Sequence, residues 1–357
     1  MLGLARRGYS FFVARPRARV AVQALISLAL IGMLVAMARQ ANLLASVRLL
    51  RPGALMLALG IQVVAFALNS WRWQLLLANT GIRERLGVLA PLYFIGQFFS
   101  LFLPTGTGGD IVRAYDVGRR SGRFAPSIMA VLQERLLGLG ASLVVGLVAM
   151  LYYLPLVPPQ LRLWIVVMLV AGAIGIVLLL YPALLFAIAG KLWRAIARRP
   201  LMRRMAELPL AARATQALAP IAELPPLPPL RLLLLVTLAL IAVLMGISMY
   251  YVIGQSLDIG VSFMAFCLVV PLVWIVRMAP VSLNGIGVGE GAFVVLIGLF
   301  AVPPDKALVL ALAFLGVQTV CALLGGALLA WRVLRGTWSG VRPAAIEPAG
   351  EVAHEHR

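Results

Sequence analysis

The strongest constraint on the fold of this chain is a succession of apolar runs of roughly bilayer-crossing length. Residues 125–151, 163–189 and 307–333 are the longest, and a helix needs only about 20 such residues to cross a hydrocarbon layer. Further runs lie at 20–38, 54–68 (with a helix continuing to 77), 89–103, 232–253, 261–279 and 291–302. Composition agrees: 62% of residues are hydrophobic and 12% charged, against about 45–50% and 25% in a soluble domain. Such a chain could not cover a soluble surface with polar groups. The expected fold is therefore all-α: a polytopic integral membrane helical bundle of about six to eight spans.

Charge then orders the runs. The formal net charge is +19, from 31 Lys and Arg against 12 Asp and Glu. A nucleic-acid partner is excluded as a reading because it needs a soluble basic face, whereas these arginines sit in short loops. They read as a topology signal, since basic loops stay in the cytoplasm. Arg6, Arg7, Arg15, Arg17 and Arg19 precede 20–38, which reads as a retained first helix rather than a cleaved signal. Arg83 and Arg85, then Arg113, Arg119, Arg120 and Arg123, then the basic loop from Lys191 to Arg213, and finally Arg332 and Arg335 fall on the same side. An even number of crossings must separate the first two groups, so the short run 89–103 reads as a re-entrant hairpin. The interval 261–302 reads as a second hairpin or as two short spans. Both termini are then cytoplasmic, with 336–357, including His354 and His356, a disordered tail. Arg39, Arg48 and Arg51 run against this scheme. Residues 192–206 form an amphipathic candidate for the inner leaflet surface. Cys267 and Cys321 lie in apolar runs and suggest neither disulfide nor metal, and no cofactor is expected.

A repeat emerges within a single transmembrane domain at 1–335. Helix, broken short segment, helix occurs at 54–151 and again at 232–333. The first break reads Phe102-Leu-Pro104-Thr-Gly106-Thr-Gly108-Gly109-Asp110, the second Met278-Ala-Pro280-Val-Ser282-Leu-Asn284-Gly285-Ile-Gly287-Val-Gly289-Glu290. Each is an apolar run, a Pro, a small polar residue, a Gly cluster and a carboxylate. The charge pattern turns the two units in opposite directions, as an inverted repeat, and secondary transporters place substrate sites at such interrupted segments. Non-helical backbone at membrane depth must be buried or line a cavity. Small residues there let N–H groups face an anion; an ordinary surface turn is the competing reading.

Ionisable residues beside apolar runs are functional candidates. Arg72, in Asn69-Ser-Trp-Arg-Trp73, has the pattern of an interfacial anchor. Asp110 and Arg113 share a helical face. Glu134 and Arg135 lie well inside 125–151, Arg277 near Pro280, and Glu290 after the second glycine cluster. Together they predict a polar cavity in which Arg72, Arg113, Arg135 and Arg277 hold a phosphate headgroup. Asp110, Glu134 and Glu290 offset that charge or carry protons. Pro104, Gly108, Gly109, Ser282, Asn284 and Gly287 shape the breaks. Local structural pairing is the alternative for the charged residues. No enzyme signature is visible: no zinc-ligand spacing, nucleophile elbow or phosphate-binding loop.

These segments, taken in order from Asn69-Ser-Trp-Arg-Trp73 through 103–115 and Glu134-Arg135 to 280–290, resemble the lysylphosphatidylglycerol synthase transmembrane-domain family, also called flippase-like domain proteins. The resemblance covers roughly 20–335. It implies a bacterial inner-membrane protein that moves a phospholipid or glycolipid headgroup across the bilayer, as the membrane half of the multiple peptide resistance factor does for aminoacylated phosphatidylglycerol. It also implies membrane lipids as partners, with a homo-oligomer or a lipid-modifying enzyme as a further associate. The alternative is a glycosyltransferase-like or accessory role in polyprenyl-phosphate glycolipid synthesis. Two features depart from the family. No aminoacyl-transfer domain follows the membrane region, so lysyl-lipid synthesis is not expected. Members also often carry a basic residue where this chain has Gly289.

Overall fold

The computed structural model describes residues 43–102, 108–156, 227–278 and 282–335. The runs 20–38 and 163–189, the amphipathic candidate 192–206, Pro104, Pro280 and the tail lie outside the described residues. Within them the chain is helical: α1 (Leu43–Leu49), α2 (Pro52–Asn79), α3 (Leu86–Phe102), α4 (Gly108–Ser121), α5 (Phe124–Tyr153), α6 (Pro229–Ser256), α7 (Phe263–Arg277), α8 (Val288–Gly298) and α9 (Pro304–Leu334), with short 3₁₀ turns at Leu154–Leu156 and Leu283–Gly285.

Two helix lengths alternate. α2, α5, α6 and α9 have 28, 30, 28 and 31 residues, about 42–47 Å at 1.5 Å per residue, enough to cross a bilayer. Three of them begin on a proline, Pro52, Pro229 and Pro304, where the missing N–H costs nothing. α3, α4, α7 and α8 have 17, 14, 15 and 11 residues and fall short of the ~30 Å hydrocarbon core. In the most apolar stretch of each long helix only 28 to 50% of residues are buried. The remainder turns large side chains outward, such as Met56, Val64, Leu233 and Leu323. Apolar cover on that scale belongs against lipid.

Contacts at the helix ends fix their directions. Arg51, before α2, lies 3.9 Å from Asp258, after α6, while Arg231 at the start of α6 bonds Asn79 at the end of α2 at 3.3 Å. These two helices are therefore antiparallel. Lys306 donates to the Asp258 carbonyl, Ser46 to Asp305, and Tyr153 hydrogen-bonds Ser262. The ends of α5 and α6 and the starts of α7 and α9 thus share one end of the bundle. At the opposite end Arg123 donates to the Gly81 carbonyl, Gln74 to that of Glu84 and Arg332 to that of Val88. Hence α3 starts and α4 finishes at that second end, whereas α7 starts and α8 finishes at the first. The second end gathers Arg83, Arg85, Arg119, Arg120, Arg123, Arg231, Arg332 and Arg335. At the first end Arg51 lies beside Asp258, which accounts for Arg51 lying outside the main basic cluster.

The packing is reciprocal. α3 packs on α9, and its counterpart α7 packs on α5; α4 lies on α5 as α8 lies on α9; α2 and α6 pack on each other. Glycines let the backbones close. A Cβ on Gly109 would lie 2.0 Å from the Gly96 carbonyl oxygen, and one on Gly325 would lie 1.9 Å from that of Phe94. These are the small-residue seams that draw membrane helices together.

One sequence expectation needs correction. Residues 108–121 read as part of an arginine-bearing loop, but they form α4, with Arg113 and Asp116 buried at 5% and 3% exposure. The low hydrophobicity of this helix hid it, because its polar side faces the protein interior.

Candidate functional site

Four helices converge on a polar cluster around Glu134. Its position in α5, 2% exposed, puts a carboxylate where lipid or protein must replace water. Burial of that kind is tolerated only with partners. The Tyr93 hydroxyl of α3 donates to Oε1 at 2.7 Å and Arg113 of α4 donates to Oε2 at 3.1 Å. Arg72 of α2 lies 3.6 Å from Oε1. Arg113 also donates to Asp110 at 2.6 Å across one helical turn, and Arg135 holds the second Asp110 oxygen. The Arg113 guanidinium lies 4.2 Å from the centre of the Tyr93 ring and 4.9 Å from that of Trp73, within cation–π range.

This cluster forms one wall of a cavity of about 640 Å³, a volume typical of small-ligand sites. α7 and the second break supply the opposite wall. There Asn284, Gly285 and Gly287 take left-handed backbone, with φ of 50°, 70° and 86°, which reverses the chain within a few residues and needs glycine or asparagine. Gly285 packs under the Arg277 carbonyl, and a Cβ on Gly289 would lie 2.5 Å from Arg277 Cγ. The Arg277 side chain therefore fills the space beside position 289. This gives Gly289 a steric reason, at the place where family members often have a basic residue. Arg277 also lies 3.8 Å from Glu290. Glu290 in turn accepts from the Gly287 N–H at 2.6 Å and so closes the start of its own helix.

The structure brings together most of the residues singled out in the sequence. Arg72, Gly109, Asp110, Arg113, Glu134, Arg135, Arg277, Ser282 and Asn284 line the cavity. Gly108, Gly287 and Glu290 are buried off its surface, Glu290 as a helix cap and ion-pair partner. Arg72 is no interfacial anchor: it is 5% exposed and faces Glu134. The neighbouring Trp71, 39% exposed, is the side chain that points outward.

Sequence reasoning missed the neutral part of the lining. Gln97 donates to Gln318 at 3.1 Å and Gln318 donates to Gln62 at 3.1 Å, a series crossing α3, α9 and α2. Tyr93, Asn69, Ser100, Ser142 and Trp274 line the same space. The signal was present as polar amides and hydroxyls inside apolar runs, which serve as interhelical links or sites in membranes. Three buried polar atoms at the cavity, Arg72 Nε, Asn69 Oδ1 and Ser282 Oγ, have no hydrogen-bond partner among the described residues. Unmet groups of this kind are uncommon in folded proteins and mark places where a bound molecule can complete the hydrogen bonding.

Among the described lining residues, four guanidiniums face two carboxylates. The site is thus suited to an anion, held by charge-assisted hydrogen bonds and flanked by neutral donors and acceptors. No cluster of metal-ligating side chains occurs among the described residues.

Searches of curated proteins and of solved structures return no match. The family profile described as lysylphosphatidylglycerol synthase TM region matches residues 20–326, which takes in the first unit, the second as far as residue 326, and every cavity-lining residue. The chain is therefore a membrane protein belonging to the lysylphosphatidylglycerol synthase transmembrane-region family.

Proposed function

We propose that this protein is a lipid flippase-like transporter that carries the headgroup of an anionic lipid across the bilayer through the cavity between its two short helix pairs. The observation that carries the reading is the cavity itself: about 640 Å³, four arginines, and buried polar atoms with no partner among the described residues. A headgroup passing through lipid needs such a polar enclosure, since a charge in hydrocarbon costs several kcal/mol or more.

The arrangement of the short pairs supports it. α3–α4 and α7–α8 each return to the end they started from, at opposite ends of the bundle. In a bilayer they are two re-entrant hairpins of an inverted repeat, with the site at their meeting point, as secondary transporters arrange theirs. The arginine-rich end is the cytoplasmic one by the positive-inside rule. An enzymatic reading would need a carboxylate available as base. Asp110 is instead held by Arg113 and Arg135, and Glu290 by Arg277 and the Gly287 N–H.

The test is reconstitution of the full chain into liposomes carrying fluorescent lipids, with dithionite quenching of the outer leaflet. Movement faster than in protein-free vesicles is expected for at least one anionic lipid. If a panel of anionic, aminoacylated and polyprenyl-phosphate lipids shows none, the reading falls.

A further inference from the structure

The cavity has two chemically different walls, and their difference selects among headgroups. On the charged wall every carboxylate oxygen already has a donor. Asp110 meets Arg113 and Arg135, and Glu134 meets Tyr93, Arg72 and Arg113. An ammonium group entering here would meet four guanidiniums against two carboxylates that they already engage, and like charges in an enclosed site repel strongly.

The rest of the lining, Arg277 apart, is neutral and directional. In the series Gln97–Gln318–Gln62, one N–H of each donor amide meets one carbonyl oxygen of the next. A primary amide has two N–H donors and a carbonyl with two lone pairs, so Gln62 and Gln97 keep capacity at the two ends of the series. Asn69 Oδ1 and Ser282 Oγ, both buried at the cavity, are acceptors still to be filled. Trp274 adds a flat face, and the absence of a side chain at Gly246, where a Cβ would lie 2.9 Å from the ring, lets the indole sit there. Amides, hydroxyls and a flat ring match vicinal hydroxyl groups.

We infer that the preferred headgroup is a polyol phosphate, a phosphodiester bearing neutral hydroxyls and no ammonium. This rests on the transport reading above and narrows it. The phosphate meets the arginines, and the hydroxyls meet the glutamine series.

The experiment uses the reconstituted full chain and four acyl-labelled probes in parallel: phosphatidylglycerol, phosphatidylinositol, phosphatidylethanolamine and lysyl-phosphatidylglycerol. The first two are expected to move at least about fivefold faster than the last two, the factor one hydrogen bond or less supplies. Equal or faster movement of the ammonium-bearing pair overturns the inference and leaves the transport reading standing, whereas immobility of all four overturns both. Gln318→Leu is compared on phosphatidylglycerol and on phosphatidic acid, which lacks the hydroxyls. A selective loss of about fivefold for phosphatidylglycerol is expected; an equal loss on both lipids marks Gln318 as merely structural and counts against the inference. Soluble glycerol phosphate separates the lipid from its free headgroup. Inhibition of lipid movement without its own uptake is expected, while uptake into protein-containing vesicles with no lipid movement overturns the assignment to a lipid.

Discussion

Arg113 and Glu134 face each other at 3.1 Å across the α4–α5 interface, and both side chains are almost fully enclosed. Breaking such a pair leaves a buried charge without its partner, which costs about 3–5 kcal/mol, whereas removing both charges together costs less. Glu134→Ala should therefore lower the melting temperature of the detergent-solubilised protein sharply. Adding Arg113→Met should recover part of the loss, with a coupling of about 1–3 kcal/mol in a double-mutant cycle. Simple additivity of the two losses would show that the pair carries no such role.

Arg135 differs from Arg113 in being about one-third exposed while it holds Asp110. Its loss should leave the fold nearly intact, because exposed pairs contribute only about 0–1 kcal/mol. Arg135→Ala should slow headgroup movement by about tenfold, the effect of losing one charge-assisted hydrogen bond, at an unchanged melting temperature. A drop in melting temperature as large as that of Glu134→Ala contradicts this division.

The seam between α3 and α4 depends on two glycines, Gly96 and Gly109. Gly109→Ala forces the helices apart and should destabilise by roughly 1–3 kcal/mol, the usual effect of overpacking. Gly53→Ala, where nothing lies within 4 Å, should be neutral or slightly stabilising because alanine is the better helix former. Thermal unfolding of the two variants side by side checks the contrast.

The helix-end contacts, combined with the positive-inside rule, predict membrane sidedness. Cysteines at Arg85 and Phe124 should both react with an impermeant maleimide from the cytoplasmic face, and cysteines at Gly260 and Leu299 from the opposite face. The native Cys267 and Cys321 are buried and should add little background. If Arg85→Cys and Phe124→Cys react from different sides, α3 and α4 together cross the bilayer and the hairpin reading fails.

Much of the long-helix pattern was legible in the sequence because hydrophobic length alone decides it; 54–77 and 307–333 correspond to α2 and α9 within a few residues. The charged part of the cavity was legible too, since an arginine or glutamate inside an apolar run is too costly in lipid to stand there without partners. α4 was not, for a physical reason. A polar helix buried against protein has neither the hydrophobicity of a span nor a lipid-facing stripe, so its arginines have the pattern of loop charges. The glutamine series is equally hidden, because one Gln per helix is unremarkable until three helices bring three of them into line. Arg72 and Trp71 show the same limit, as adjacent residues turned in opposite directions by a helical step that the motif alone does not orient.

The exchange of packing partners, α3 on α9 and α7 on α5, has a consequence for biosynthesis. A ribosome that has delivered only α2 to α5 has inserted half a seam. Gly96 and Gly109 can close at once, but Phe94 and Phe98 wait for Gly325 and Gly326, and Gln62 and Gln97 wait for Gln318, which joins them. The described bundle is locked by α9. Until that helix arrives the first half is a guest of the insertion machinery, and two halves expressed as separate polypeptides should find each other in the membrane.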